Sequence, residues 1–246
     1  LTQALNSYGV QVNFATMPVV FSNNEIDDIK ERQATTLTVQ EAGWFRVRRS
    51  SNVVISNNTF GLNMTQGTTG DAAMFNFMGS SNVVFTDNTI KETGNIVISV
   101  HGGSADIFIR NNNVYINRKP IASRGVFVAI WDDLAMGVSS STVIENNKIF
   151  ANFEPDATKN TIIAIGQCND AAQSILVGNV VINNNYFRYT GVGAASAWNF
   201  VKVCSSDAQN VDMMNNVVIK AVMSTTAEGG TVAVAGNDNF LDGIEQ

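Results

Sequence analysis

The stretch Asn52-Val53-Val54-Ile55-Ser56-Asn57-Asn58-Thr59-Phe60 returns almost letter for letter as Asn82-Val83-Val84-Phe85-Thr86-Asp87-Asn88-Thr89-Ile90. Looser copies centre on Asn24, Asn112, Asn147, Asn185 and Asn216, the last within Val211-Asp212-Met213-Met214-Asn215-Asn216-Val217-Val218. An internal repeat with variable insertions points to a stacked architecture in which each unit contacts only its neighbours. Each copy reads as a strand, a one-turn corner and a second strand. Val53 and Ile55 alternate with Asn52 and Val54, the period of a strand with one face on a core. Phe60 resumes the alternation past the corner. The corner needs a backbone position with positive φ, which Asn tolerates better than any residue except Gly. An amide there carries both donors and acceptors. A stacked copy about 4.8 Å away can pair with it in a ladder. One unit cannot bury its own apolar face, but a stack of seven can.

Composition supports strands over helices. The chain has 246 residues, of which 15% are charged, with only 3 Pro and abundant Asn, Ser, Thr and Val. That suits an all-β domain with a large core. A net charge of −6 argues against a nucleic-acid partner. No apolar run of about 20 residues is present, so no segment is predicted to span a membrane. The chain opens on Leu1 with no signal peptide. We therefore expect residues 1–246 to be a single domain cut from a longer chain.

Each coil should hold another strand before the Asn-bearing pair, at residues 9–14, 44–48, 74–78, 96–101, 126–131, 162–166 and 198–204. Alternation predicts inward rows that include Phe45 and Val47, Phe75 and Phe77, Ile96, Ile98 and Val100, and Val126, Val128 and Ile130. Insertions fall at the other corners, where added length costs little. Residues 27–40, with Ile-Asp-Asp-Ile-Lys-Glu-Arg, form the one convincing short helical candidate.

The repeated pattern resembles the right-handed parallel β-helix of the pectate-lyase-like superfamily, in which two strands and a short Asn-bearing corner recur once per coil. The resemblance covers roughly residues 9–240. It implies an all-β fold, a right-handed single-stranded parallel solenoid of at least seven coils. Irregular coil lengths, Asn-rich corners and missing end caps make the chain most similar to a bacteriophage tailspike. That likeness implies a homotrimer on a virion surface or outside the cell that binds and cleaves a bacterial surface polysaccharide, by hydrolysis sooner than elimination. Two alternatives stay open: a noncatalytic structural or receptor-binding β-helix, and a secreted polysaccharide lyase or epimerase. The fold hosts all of these.

The outward face of the strand before the Asn-bearing pair is where we expect chemistry. It offers Trp44, Arg46, Arg48, Asn76, Phe127, Trp131 and Lys202 for holding a saccharide. Aromatic faces stack on sugar rings, and Arg and Asn hydrogen-bond hydroxyls or carboxylates. The alternative is that these aromatics pack against an insertion or a neighbouring subunit. Asp132 and Asp133 follow one such strand, and Asp170 and Asp207 follow the next two. Glycoside hydrolysis needs two carboxyls, about 5–5.5 Å apart for retention or about 6.5–9.5 Å for inversion. Asp after a strand is also ordinary turn chemistry. His101, the one histidine, is a candidate general base or a residue bonded to backbone. One His and two Cys are too few for a zinc site, and no cofactor motif is present. On these grounds Trp131→Ala and Asp132→Asn should impair binding or turnover without lowering the melting temperature much.

Cys168 and Cys204 follow corresponding strands in adjacent coils. Neighbouring rungs lie about 4.8 Å apart, inside the range a disulfide accepts. A protein that matures in a reducing cytosol keeps its thiols, so we expect reduced but nearby cysteines. Thiol titration of the denatured protein without reductant should find two free thiols; none would establish the bridge.

Overall fold

The computed structural model describes residues 7–26, 42–63, 73–93, 96–117, 126–131, 137–153, 160–166, 177–191, 198–203, 208–219 and 221–226, with short pieces at 234–235, 240–241 and 244–245. All regular structure among them is β. Except for the last two, consecutive strands do not pair. Each pairs in parallel with the strand three places further along the chain, so three sheets form, and each turn of the chain adds one strand to each. This is a parallel β-helix.

Among the described residues there are eight rungs. The second comprises Ala42–Arg48, Ser51–Ser56 and Thr59–Asn63, and the third Ala73–Met78, Ser81–Thr86 and Thr89–Thr93. Rungs four to seven begin at Ile96–His101, Val128–Ile130, Thr161–Ile165 and Asn199–Val203. The eighth begins at Val222–Thr226. A final short strand, Ile244–Glu245, pairs antiparallel with Phe240–Leu241 at the end of the third sheet. The helical candidate at 27–40 lies outside the described residues, as do most of the insertions.

The core is one continuous column. Its early rungs are aromatic: Phe60 meets Phe75 at 4.7 Å and Phe75 meets Phe85 at 4.6 Å between ring centroids. Its middle is aliphatic, with Ile98, Ile107, Val114, Ile144, Ile149 and Ile163 fully buried. Its late rungs are aromatic again around Phe187, Trp198 and Phe200.

The asparagines lie on one line, as the repeat implies. From Asn24 through Asn58, Asn88, Asn112, Asn147 and Asn185 to Asn216, each Nδ2 donates to the next Oδ1 at 2.9–3.2 Å. The same Oδ1 accepts the backbone N–H of the preceding member at 2.9–3.1 Å. The second Nδ2 proton goes to a main-chain carbonyl; that of Asn112 goes to Phe85 O at 3.1 Å. From Asn58 onward the ladder residues are buried. They are not, however, the positive-φ residues expected from the sequence. The left-handed position is the residue before each one, such as Asn57 at φ 54°, Asp87 at 57° and Asn111 at 55°. The two demands of the corner, backbone geometry and amide pairing, fall on adjacent residues.

A second ladder, absent from the sequence reading, lines the corner between the first and second sheets. Ser80 Oγ accepts from Ser50 N at 3.3 Å and Ser104 Oγ from Ser80 N at 3.2 Å. Each hydroxyl also meets main-chain carbonyls, as Ser80 does with Val47 O and Met78 O.

Replacing Asn112 with Leu leaves the Asn88 amide donors without their acceptor. We expect a loss of about 1–3 kcal/mol for each buried group left unpaired. Asn111→Gly, at the neighbouring left-handed position, should stay within about 0.5 kcal/mol, because Gly adopts positive φ without strain. Urea denaturation midpoints of the two variants separate the roles; equal midpoints would dissolve the distinction.

Candidate functional site

A break in alternation decides what the outer face of the first sheet presents. At the start of successive first-sheet segments, two consecutive residues are both buried in the main core: Trp44 and Phe45, Met74 and Phe75, Val97 and Ile98, Phe127 and Val128. Ladder pairing skips the first of each pair. Ala73↔Ile96 is followed by Phe75↔Ile98, and Thr161↔Asn199 by Ile163↔Val201. Both strands advance by two residues across each gap, so the irregularity repeats from rung to rung without an inserted residue, and both side chains of the pair face inward.

Two expectations are corrected by this. Trp44 and Phe127 do not stand on the outer face; Trp44 packs in the core against Phe60 at 6.0 Å, and Phe127 is wholly buried. Ile96, expected inward, joins Ala73, Ala129 and Trp131 in a small apolar cluster separate from the main core. Strict alternation fails here because two consecutive residues of each strand face the core at this position.

Beyond the break the outer face is regular. One row runs through Gln11, Arg46, Asn76, Ser99, Ala129, Ala164 and Lys202. A neighbouring row holds Arg48, Met78 and His101. Trp131 N bonds Val100 O at 3.0 Å, which brings Trp131 beside His101. The structure therefore gathers Asn76, Ser99, His101 and Trp131. Asn76 Oδ1 lies 3.1 Å from His101 Nε2, so Nε2 carries the proton and donates. The imidazole stacks on the Trp131 ring at 4.5 Å and 12°. Arg46 sits at the edge of the group, with Nη2 3.8 Å from Met78 Sδ.

The middle of this face is covered. Asn76, Ser99, His101, Ala129, Trp131 and Ala164 are all buried, while Arg46, Arg48 and Lys202 keep partial exposure. The open groove expected from the sequence is not what the described residues show. Two polar atoms within the group, Asn76 Nδ2 and Ser99 Oγ, have no hydrogen-bond partner among the described residues. They sit on adjacent strands at paired positions. Such orphans are rare in folded proteins and each costs about 1–3 kcal/mol. Asp132, Asp133, Asp170 and Asp207 lie outside the described residues, as do Cys168 and Cys204. Asp132 and Asp133 directly follow Trp131. No group of three metal-ligating side chains occurs among the described residues. Alternation in the sequence already puts Ser99 on this outward face beside His101, without marking it as a binding residue.

No family model matches the chain, and no curated protein matches it. Among solved structures, two kinds of β-helix resemble it. A mutant tailspike protein of the E. coli bacteriophage HK620, in complex with a pentasaccharide, matches at 12% identity and a TM-score of 0.44. That match covers 94% of this chain and 53% of the tailspike, so the chain spans about half the tailspike's length. An alginate lyase from a Paenibacillus species matches at 14% identity and a TM-score of 0.43, covering 95% of this chain and 98% of the lyase.

Burial changes what is expected of substitutions here. Trp131→Ala should lower stability by about 3–5 kcal/mol, as for other buried aromatics, contrary to the expectation from sequence. Ser99→Ala should raise stability by about 1 kcal/mol, because it removes an unpaired buried hydroxyl. Thermal melts of the two variants would test both signs. A destabilised Ser99→Ala would mean that the hydroxyl has a partner.

Proposed function

We propose that this chain is a polysaccharide-binding β-helix that holds a glycan against the outer face of its first sheet. The observation that carries the reading is the pair of unpartnered buried polar atoms, Asn76 Nδ2 and Ser99 Oγ, beside the His101–Trp131 stack. A donor amide and a hydroxyl next to an aromatic wall match a sugar, which presents hydroxyls on its rim and C–H bonds on its faces. Sugar hydroxyls would supply the missing partners. Arg46, Arg48 and Lys202 stand along the same face and suit acidic groups on the glycan. The central side chains are buried, so a glycan would reach them only once this part of the face is exposed.

In this reading the protein works outside the cell or on a virion surface, as a homotrimer. It cleaves its glycan by hydrolysis, with the two carboxyls drawn from Asp132, Asp133, Asp170 and Asp207. One observation favours a second reading, binding without cleavage. No Asp or Glu among the described first-sheet residues lies on this face, and His101 is locked between Asn76 and Trp131.

A panel of bacterial surface polysaccharides separates the readings. Calorimetry should show Ser99→Ala binding about tenfold more weakly than the parent, the loss of roughly one hydrogen bond, while folding at least as stably. Asp132→Asn should bind normally and release no reducing ends. Release of reducing ends by neither parent nor variant, with binding intact, selects the noncatalytic reading. A rise in absorbance near 235 nm would select elimination. Unchanged binding by Ser99→Ala removes the site from this face.

A further inference from the structure

The outer face of the third sheet alternates rings with cations. Its strands in rungs four to six are Asn113–Ile116, Lys148–Ala151 and Tyr186–Tyr189. Alternation sends Val114, Ile149 and Phe187 into the core. The outward positions are Asn113, Tyr115, Lys148, Phe150, Tyr186 and Arg188, and none of them is fully buried. Cross-strand pairing sets them out in two rows. Asn113, Lys148 and Tyr186 form one, and Tyr115, Phe150 and Arg188 the other.

Two of these strands make a checkerboard. Lys148 and Arg188 hold opposite corners, and Phe150 and Tyr186 the other two. The Phe150 ring meets Tyr186 across the diagonal at 5.9 Å and 54°. Toward the preceding rung it stacks on Tyr115 at 5.2 Å and 13°. Tyr115 ends this ring stack among the described residues and is 39% exposed. The next rung back offers Lys91, which follows Ile90, the partner of Val114. The Lys91 ammonium reaches Glu25, two rungs further back, at 3.3 Å. The side chain therefore leans away from Tyr115 and leaves that ring's second side open.

Charge says what this face would take. No carboxylate stands at the six outward positions. Lys148 and Arg188 have no ion pair among the described residues, whereas Lys91 is matched by Glu25. The chain as a whole carries a net charge of −6, so this is a local reversal of sign that suits an anion. The anion must be sparse. Two free cations stand on neighbouring rungs about 4.8 Å apart, while one nucleic-acid strand carries a phosphate about every 3.4 Å. The net negative charge would repel so dense a polyanion. A polymer with carboxylates on some of its sugars matches better. Its C–H faces suit aromatic rings, and its hydroxyls suit the Asn113 amide.

We propose that the outer face of the third sheet is a second glycan site, which takes an acidic polysaccharide. The polymer lies along the stack. One sugar ring packs on the open side of Tyr115, and carboxylates further along meet Lys148 and Arg188. A ring stack that served only to hold rungs together would need no unmatched cations beside it. The site lies on a different sheet from Asn76 and Ser99 and rests on different observations. With both faces engaged on one polymer, the second contact becomes intramolecular and retention rises without any new contact.

Calorimetry at low salt tests this, with hexagalacturonate and a hyaluronate hexasaccharide as acidic probes and cellohexaose as the neutral one. The parent should bind an acidic probe about tenfold or more tightly than cellohexaose, and lose that preference as salt screens the charges. Tyr115→Ala should weaken binding about tenfold. Lys148→Ala combined with Arg188→Ala should abolish the preference for acid with an unchanged far-UV spectrum. Both of those side chains are exposed, so this variant keeps the test open should Tyr115→Ala misfold. Val84→Ser, on the second sheet, should bind as the parent does. Acidic probes that bind no better than cellohexaose overturn the proposal. So does a folded Lys148→Ala, Arg188→Ala variant with the parent's affinity, which would put the acidic glycan on another face. Tighter binding of single-stranded oligothymidylate than of either acidic probe would also overturn it. None of these outcomes bears on the first-sheet reading, which Ser99→Ala tests.

Discussion

The asparagine ladder is the interaction on which the rest of this structure depends. A parallel solenoid must reverse its chain direction several times per rung, and each reversal strips backbone groups of sheet partners. At the corner between the second and third sheets, one amide per rung repairs the loss. Its oxygen takes the backbone N–H and the amide of one neighbouring rung, while its own amide protons reach the next rung and a main-chain carbonyl. Every donor and acceptor is used, in a site with no access to water. Because each member leans on the next, the ladder also sets register: slip by one residue would put an apolar side chain in the amide line and turn every strand face over. The serine ladder does the same at the corner between the first and second sheets with a single hydroxyl.

Against that standard of satisfaction, the outer face of the first sheet falls short, as do Trp44 Nε1, Trp198 Nε1 and Thr142 Oγ1 elsewhere among the described residues. Asn76 Nδ2 and Ser99 Oγ are buried without partners in a molecule that pairs its corner amides fully. Stability would favour Ala at position 99. In the proposed reading a ligand completes the bonding at these adjacent paired positions, where function would trade against stability. The His101–Trp131 stack, held by Asn76, gives that point a rigid wall. The first and third sheets thus divide the surface. One conceals polar groups that lack partners, and the other displays cations that lack an ion pair among the described residues.

How much of this was legible in the residues follows from the range of each interaction. Asn58 and Asn88 announce the ladder because a rung-to-rung contact imposes the same residue at the same place in every copy, and repetition is visible in a string. The αL residues Asn57 and Asp87 were visible for the same reason, although the sequence did not separate their backbone duty from the pairing duty of the residue that follows. The parallel stack, the inward Val53, Ile55 and Phe85, and the absence of a helical core all descend from that repeat and from period-two alternation.

What the folded molecule alone settles is everything that breaks the period. The break in alternation before Phe45, Phe75 and Ile98 turns Trp44, Met74 and Val97 into the core, and nothing local in those segments marks it, since an apolar residue reads equally well on either side. The pairing of Asn76 with His101, 25 residues apart, depends on the length of the insertion between rungs, which varies from coil to coil. The rings and cations of the third sheet are spelled out strand by strand, yet whether they meet depends on the register of three separate strands. Repetition is a one-dimensional property that a sequence carries whole. The coincidence of particular side chains on one face is three-dimensional, and the stack must form before it exists.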